Sequence, residues 1–138
     1  MEEELVKSLS SYRCQKAVDC LTIANKLYED GELGYSQNRA YYALFDAIRS
    51  VTALDGFDSS KHSGIISYFN QHYVKTNIFR TETAKIIRLA SMLREKSDYE
   101  DFYVPEKQDT QEVLTQVKAF LDEVGIYLTN KEVLKRGA

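Results

Sequence analysis

Arg94, Asp98 and Tyr99 stand together in the segment REKSDYEDFYVP, which runs from Arg94 to the only proline, Pro105. An arginine holds a phosphate with a planar fork of donors, and an acid four positions along a helix lies on the same side and can pair with it. Proton transfer needs a group whose pKa lies near neutrality, which neither arginine nor an unperturbed tyrosine has. On a helix Tyr99 points about 140° away from Arg94. The two are therefore expected to act together only where the helix unwinds or where a second subunit supplies the missing half. Tyr103 adds a second phenol to the stretch.

Histidine has the suitable pKa, and there are two, His62 and His72. On one helix their spacing corresponds to roughly 15 Å, too far to share a zinc ion, and neither has a cysteine or acid three or four positions on. No metal site and no cofactor is expected. Lys61 and His62 stand together in SSKHSG at a predicted helix N-terminus, where free backbone N–H groups favour an anion. The plainer reading of His62 is a solvent-exposed histidine of a capping turn.

A third constellation lies in SQNRAYYALFDAIRSV. At 100° per residue, Asn38, Tyr42, Phe45 and Arg49 form a stripe beside the apolar one made by Tyr41, Leu44, Ile48 and Val51. An amide, aromatic rings and a guanidinium in line can stack on and hydrogen-bond a nucleotide, bury against a second subunit, or form a polar margin around the core. Tyr41 falls in the apolar stripe and reads as core. The phosphate-loop, dinucleotide, zinc-protease and nucleophile-elbow motifs are all missing from the sequence. Asp98 and Asp101 lie in a charged segment with nothing apolar to raise a carboxyl pKa.

The elements that position these residues read as helices throughout. Six glycines and one proline in 138 residues leave few breaks. The periodicity predicts a first helix over about 3–29, ended by Asp30-Gly31, and a second over about 35–54, closed by Gly56. The short link makes them an antiparallel hairpin. Ser59 or Ser60 is expected to cap a third helix with Ile65, Phe69 and Tyr73 turned one way. Thr81 or Glu82 opens a fourth that carries Ile86, Ala90 and Leu93. Asp109 or Thr110 caps the last, where Val113, Val117, Phe120, Val124 and Leu128 keep helical spacing. The expected fold is all-α: one domain, an up-and-down antiparallel bundle of about five helices over 1–130, with 131–138 a frayed tail.

Composition agrees with a single globular domain, since 43% hydrophobic and 28% charged residues can build a core without disulfides or metal. No apolar run approaches the roughly 20 residues that span a bilayer, and the acidic N-terminus MEEEL lacks a secretory pattern, so a cytoplasmic protein without membrane contact is expected. Cys14 and Cys20 fall about 240° apart on a helix and read as reduced thiols. The net charge of −3 argues against nucleic-acid binding over the whole surface. Its distribution is uneven: seven basic residues face two acids from Lys61 to Lys96, then six acids face Lys107 alone from Ser97 to Glu112. Such halves can meet across a symmetric dimer.

Three ordered stretches, NRAYYALFDAIRSV, KHSGIISYFNQHYVKTNIF and LREKSDYEDFY, resemble the HEPN (higher eukaryotes and prokaryotes nucleotide-binding) domain, in a small stand-alone prokaryotic branch. The resemblance implies a helical bundle that forms a homodimer, often partnered by a minimal nucleotidyltransferase in a toxin–antitoxin pair. Many family members are metal-independent ribonucleases with an R-x4-6-H motif whose arginine and histidine meet at a cleft across the dimer. Arg94 matches the arginine, but Tyr99 stands five positions later where that motif has histidine, and neither His62 nor His72 follows an arginine at that spacing. Some members carry a tyrosine after the motif histidine that the partner modifies with AMP, which makes Tyr99 and Tyr103 the candidates for modification.

The leading expectation is a homodimeric binding module for nucleotide, RNA or the partner transferase, leaning away from an enzyme. Its cleft residues are Asn38, Tyr42, Arg49, Lys61, His62, Arg94 and Asp98. The rival is a metal-independent endoribonuclease whose histidine is His62, with Arg94 and Tyr99 as its other candidates. A third reading is a purely structural helical dimer within a complex.

Overall fold

The second helix gathers the others around it because it is buried on most of its circumference. The structure, a computed structural model, describes residues 2–136. Its elements are α1 (Glu3–Glu29), α2 (Leu33–Thr52), a 3-10 turn (Ala53–Asp55), α3 (His62–Phe69), a π turn (Asn70–Val74), α4 (Glu82–Tyr99) and α5 (Lys107–Asn130). There is no strand among the described residues. Helix α2 packs against each of the other α-helices. Ala40, Ala43 and Ala47 let those neighbours approach closely, and Leu44, Ile48 and Val51 fill the space between them; all six are fully buried.

Helices α1 and α2 are antiparallel, and two buried serines fix their register. Ser10 Oγ donates to the Ser50 carbonyl at 2.6 Å near one end, and Ser36 Oγ donates to the Ala24 carbonyl at 2.8 Å near the other. The turn between the helices needs a left-handed backbone at Gly31, φ 81°, which glycine adopts without a Cβ penalty.

The third element departs from the expected regular helix. After Phe69 the backbone widens into a π turn, in which the Lys75 N–H bonds to the Asn70 carbonyl at 2.9 Å, five residues back. This turn carries Tyr73 into an aromatic cluster with Phe69, Phe79 and Tyr127. The Tyr73 hydroxyl donates to Asp55 Oδ2 at 2.6 Å, and Tyr68 donates to the same oxygen at 3.1 Å. Burial first, then the Asp55 carboxylate, pushes the Tyr73 phenol far above its ordinary range, so it stays a donor.

Two expected caps are elsewhere. Lys61 occupies the N-cap of α3, with Ser59 Oγ accepting the Lys61 N–H at 3.2 Å. Helix α5 starts at Lys107, ahead of Asp109, and the side chain of Thr110 serves the interior instead of a cap: it is fully buried, donates to the Glu106 carbonyl at 2.8 Å and accepts from Gln37 Nε2 at 3.0 Å. Past α5, Val133 and Leu134 pack against the core, and the Val133 N–H bonds to the Leu128 carbonyl at 2.9 Å. Of the tail expected to fray, Gly137 and Ala138 lie outside the described residues. Among those described, no helix is long and apolar enough to cross a membrane.

Candidate functional site

Consecutive tyrosines on α2 build the site. A helix turns about 100° per residue, so Tyr41 faces inward, 3% exposed, while Tyr42 lies at the core margin. Their rings meet edge to face, with centroids 5.2 Å apart. From the start of α3, His62 packs against both, at 6.0 Å from Tyr41 and 5.9 Å from Tyr42, and lies closest to Phe45, at 4.1 Å. The Tyr41 hydroxyl and His62 Nδ1 are 3.1 Å apart.

From α4, Arg94 reaches the same rings. Its guanidinium carbon stands 5.2 Å from the Tyr41 centroid and 5.6 Å from that of Tyr42, and Nη2 donates to the Tyr42 hydroxyl at 3.2 Å. Nε lies 3.0 Å from Asp98 Oδ2, within ion-pair range, but its N–H is not aligned on that oxygen and stays buried without a hydrogen-bond acceptor. Burial works against the charge, yet Tyr42, Tyr99 and Asp98 outweigh it and hold the Arg94 pKa above its ordinary value. The expectation that Tyr99 meets Arg94 only through unwinding or a second subunit is corrected: α4 stays helical through Tyr99, and the guanidinium still lies 5.5 Å from that ring. The reach of the arginine side chain, rather than the direction of its Cα–Cβ bond, closes the gap.

A lattice of polar groups extends from here. Asn38 Nδ2 donates to both oxygens of Asp98 at 3.0 Å, and Arg39 donates to Asn38 Oδ1 through Nε at 2.9 Å and Nη2 at 2.8 Å while lying 4.9 Å over the Tyr42 ring. On the far side Arg49 lies 5.9 Å over Phe45, and Arg49 and the buried Arg13 share Asp58 at 3.8 and 3.9 Å. Burial, then Arg94 and Arg49, hold the His62 imidazole below its ordinary value, against a smaller opposing pull from Asp46. Asp46 is itself 7% exposed, and burial raises its carboxyl pKa despite Lys16, Arg49, Arg13 and Arg39 nearby.

Of the residues singled out in the sequence, Asn38, Tyr42, His62, Arg94, Asp98 and Tyr99 thus form one connected cluster, joined by Arg49 through Phe45. Lys61 stands exposed beside His62. Tyr103 is not in the cluster; its hydroxyl donates to Gln37 Oε1, fully buried beneath α5, at 2.9 Å. That anchor leaves Phe102 fully exposed with a left-handed backbone, φ 61°. Sequence reasoning missed Arg39 and the hydroxyl of Tyr41. The placing of Arg39 three residues before Tyr42 was the available signal for the first; an apolar stripe does not reveal where a phenol oxygen ends.

His72 packs on Tyr68 at 4.1 Å, away from this cluster. Among the described residues no three His, Cys, Asp or Glu side chains come together as a metal site. A cleft of about 450 Å³ borders Asp98, between Gly31–Tyr35 and Ser97, whereas a cavity of about 680 Å³ along the end of α5 includes no residue of the cluster. Tyr41 and Phe45 are buried and Arg39 and Arg94 already lie over the half-buried Tyr42, so the cluster offers a ligand chiefly guanidinium donors, which can hold phosphate oxygens.

The HEPN domain model matches residues 10–127. A UPF0332 protein of Thermotoga maritima is 29% identical over 118 residues, covering 86% of this chain and 89% of that one. A protein of Methanocaldococcus jannaschii named as a candidate toxin is 26% identical over 121 residues, 88% of this chain and 82% of its own. A UPF0332 protein of Pyrococcus horikoshii is 39% identical over 67 residues, 49% of this chain and 47% of its own.

Proposed function

Because the chain belongs to the HEPN domain family, we propose that it is a homodimeric binding module for RNA or a nucleotide, working with a partner protein in a toxin–antitoxin-type pair. The candidate-toxin names of two relatives support the setting, and a minimal nucleotidyltransferase is the partner we favour. One observation carries the binding role: His62 and Arg94, from different helices, lie on the same two tyrosine rings, with Arg39 and Arg49 at either side. The cations take phosphate oxygens, and the half-buried Tyr42 is the ring of the pair with surface left for a base to reach. In the dimer, two of these faces frame a shared groove.

Fluorescence anisotropy with a labelled single-stranded RNA tests this. Binding that weakens with salt and is lost in Arg94→Ala is expected; RNA affinity equal in the two proteins overturns the assignment.

A metal-independent endoribonuclease is the second reading, favoured by the nearness of a neutral His62 to Arg94. Cleavage in the presence of a chelator, abolished by His62→Ala, would establish it. Tyr99, 68% exposed beside Arg94, is the candidate for modification by the partner. Mass spectrometry of the chain co-expressed with that partner reads this out.

A further inference from the structure

The position of one buried proton decides what His62 can do. The Tyr41 hydroxyl lies 3.1 Å from His62 Nδ1 on a residue 3% exposed, and among the described residues it makes no other hydrogen bond, although Tyr42 and the Glu95 carboxylate lie near enough to act on it. A buried O–H that points at nothing forfeits its hydrogen bond, so the phenol proton goes to Nδ1 and that nitrogen accepts. Burial also raises the Tyr41 pKa, with Arg94 opposing, so the proton stays on the oxygen. A neutral imidazole carries one N–H, which then belongs on Nε2.

We propose that Tyr41 is a positioning residue of this site: it holds His62 in the tautomer protonated on Nε2, so the nitrogen that has no hydrogen-bond partner among the described residues offers an N–H to a phosphate oxygen and has no lone pair for taking a proton. The proposal rests on the binding reading above and narrows it. The ligand meets His62 as a hydrogen-bond acceptor, and the endoribonuclease reading then needs a general base other than this histidine. Most of the groups facing the ring act in the same direction. Tyr42 and Phe45 fix its plane, and Arg94 and Arg49 oppose a positive charge against Asp46, with Lys61 next in the chain. Protonating Nδ1 would also turn Tyr41 from donor to acceptor and strand its proton.

The experiment uses the full chain with ring-15N histidine, as wild type and as Tyr41→Phe, a change that removes one oxygen and keeps the ring; circular dichroism checks folding. Two-bond 1H–15N spectra at neutral pH should show His62 protonated on Nε2 in the wild type and a tautomer mixture in Tyr41→Phe. The His62 titration midpoint should rise by roughly half to one pH unit, with His72 unchanged as internal reference. A wild-type proton on Nδ1, or identical spectra for the two proteins, overturns the proposal. Labelled single-stranded RNA should bind Tyr41→Phe about two- to fivefold more weakly, and unchanged affinity overturns the positioning role. If the wild type binds no RNA, the binding reading fails, while the spectra of the free protein still decide the Tyr41 assignment.

Discussion

His62 and Arg94 lie on the same pair of tyrosine rings, Tyr41 and Tyr42, and touch them differently: the imidazole meets the Tyr41 hydroxyl, the guanidinium meets the Tyr42 hydroxyl. Because Tyr41 and Tyr42 are adjacent on α2, any shift of that helix moves both contacts together. The first turn of α3 and the last turns of α4 are thereby tied to one rigid element.

Arginine is required at 94 for its plane as well as its charge, since three rings lie 5.2 to 5.6 Å from its guanidinium. A lysine keeps the charge and loses the stacked geometry. Arg94→Lys is expected to lose about five- to 150-fold in RNA affinity, a deficit of about 1–3 kcal/mol. Anisotropy titrations at fixed salt measure it; wild-type affinity in Arg94→Lys would mean that charge alone is read.

His62 ties stability to pH on the acidic side. Its folded pKa lies below the ordinary 6.5, so the unfolded chain binds the proton first. The contribution is complete above 6.5 and disappears as pH falls through the folded value. Melting temperature should drop over that window, and His62→Gln should flatten the drop relative to wild type.

Asp46 has the opposite sign. Its folded pKa is raised from 3.8, chiefly by burial, so the folded state binds the proton first and ionisation costs stability as pH rises from 3.8 through the raised value. Asp46→Asn should melt higher than wild type at neutral pH, with the two curves converging below about 3.8. A lower melting temperature at neutral pH would show that Lys16, Arg49, Arg13 and Arg39 need that carboxylate more than burial opposes it.

Tyr103 is a structural anchor by geometry. Tyr103→Phe strands the carbonyl of Gln37, which is fully buried, and should cost about 1–3 kcal/mol in urea unfolding. RNA affinity should stay at the wild-type value, because Tyr103 touches none of the cluster.

Regular helices were legible in the sequence because a 3.6-residue period leaves a repeating mark: Val113, Val117, Val124 and Leu128 are all fully buried where spacing put them. What escaped depends on side-chain reach and on local backbone choices. Tyr41 was read as core from its stripe, and it is buried there, but the stripe is a statement about Cβ and its hydroxyl ends several bonds further out, against His62. Arg94 reaches Tyr99 for the same reason. Thr110 resembled a cap in sequence, and only the partner Gln37, from a distant helix, gives it an interior role. The π turn left no mark, because one additional residue in a turn has no compositional signature.

That wide turn makes the segment between Asn70 and Val74 a measure of length. An α-helical path over the same rise would need one residue fewer, so deleting the exposed Gln71 would let the backbone regularise. Closing the turn to α geometry with every residue kept would instead advance everything downstream by about 100° around the axis, swinging the Tyr73 hydroxyl off Asp55. Replacing the Gln71 side chain leaves the spacing intact. Here the chain is forgiving of spelling and strict about counting.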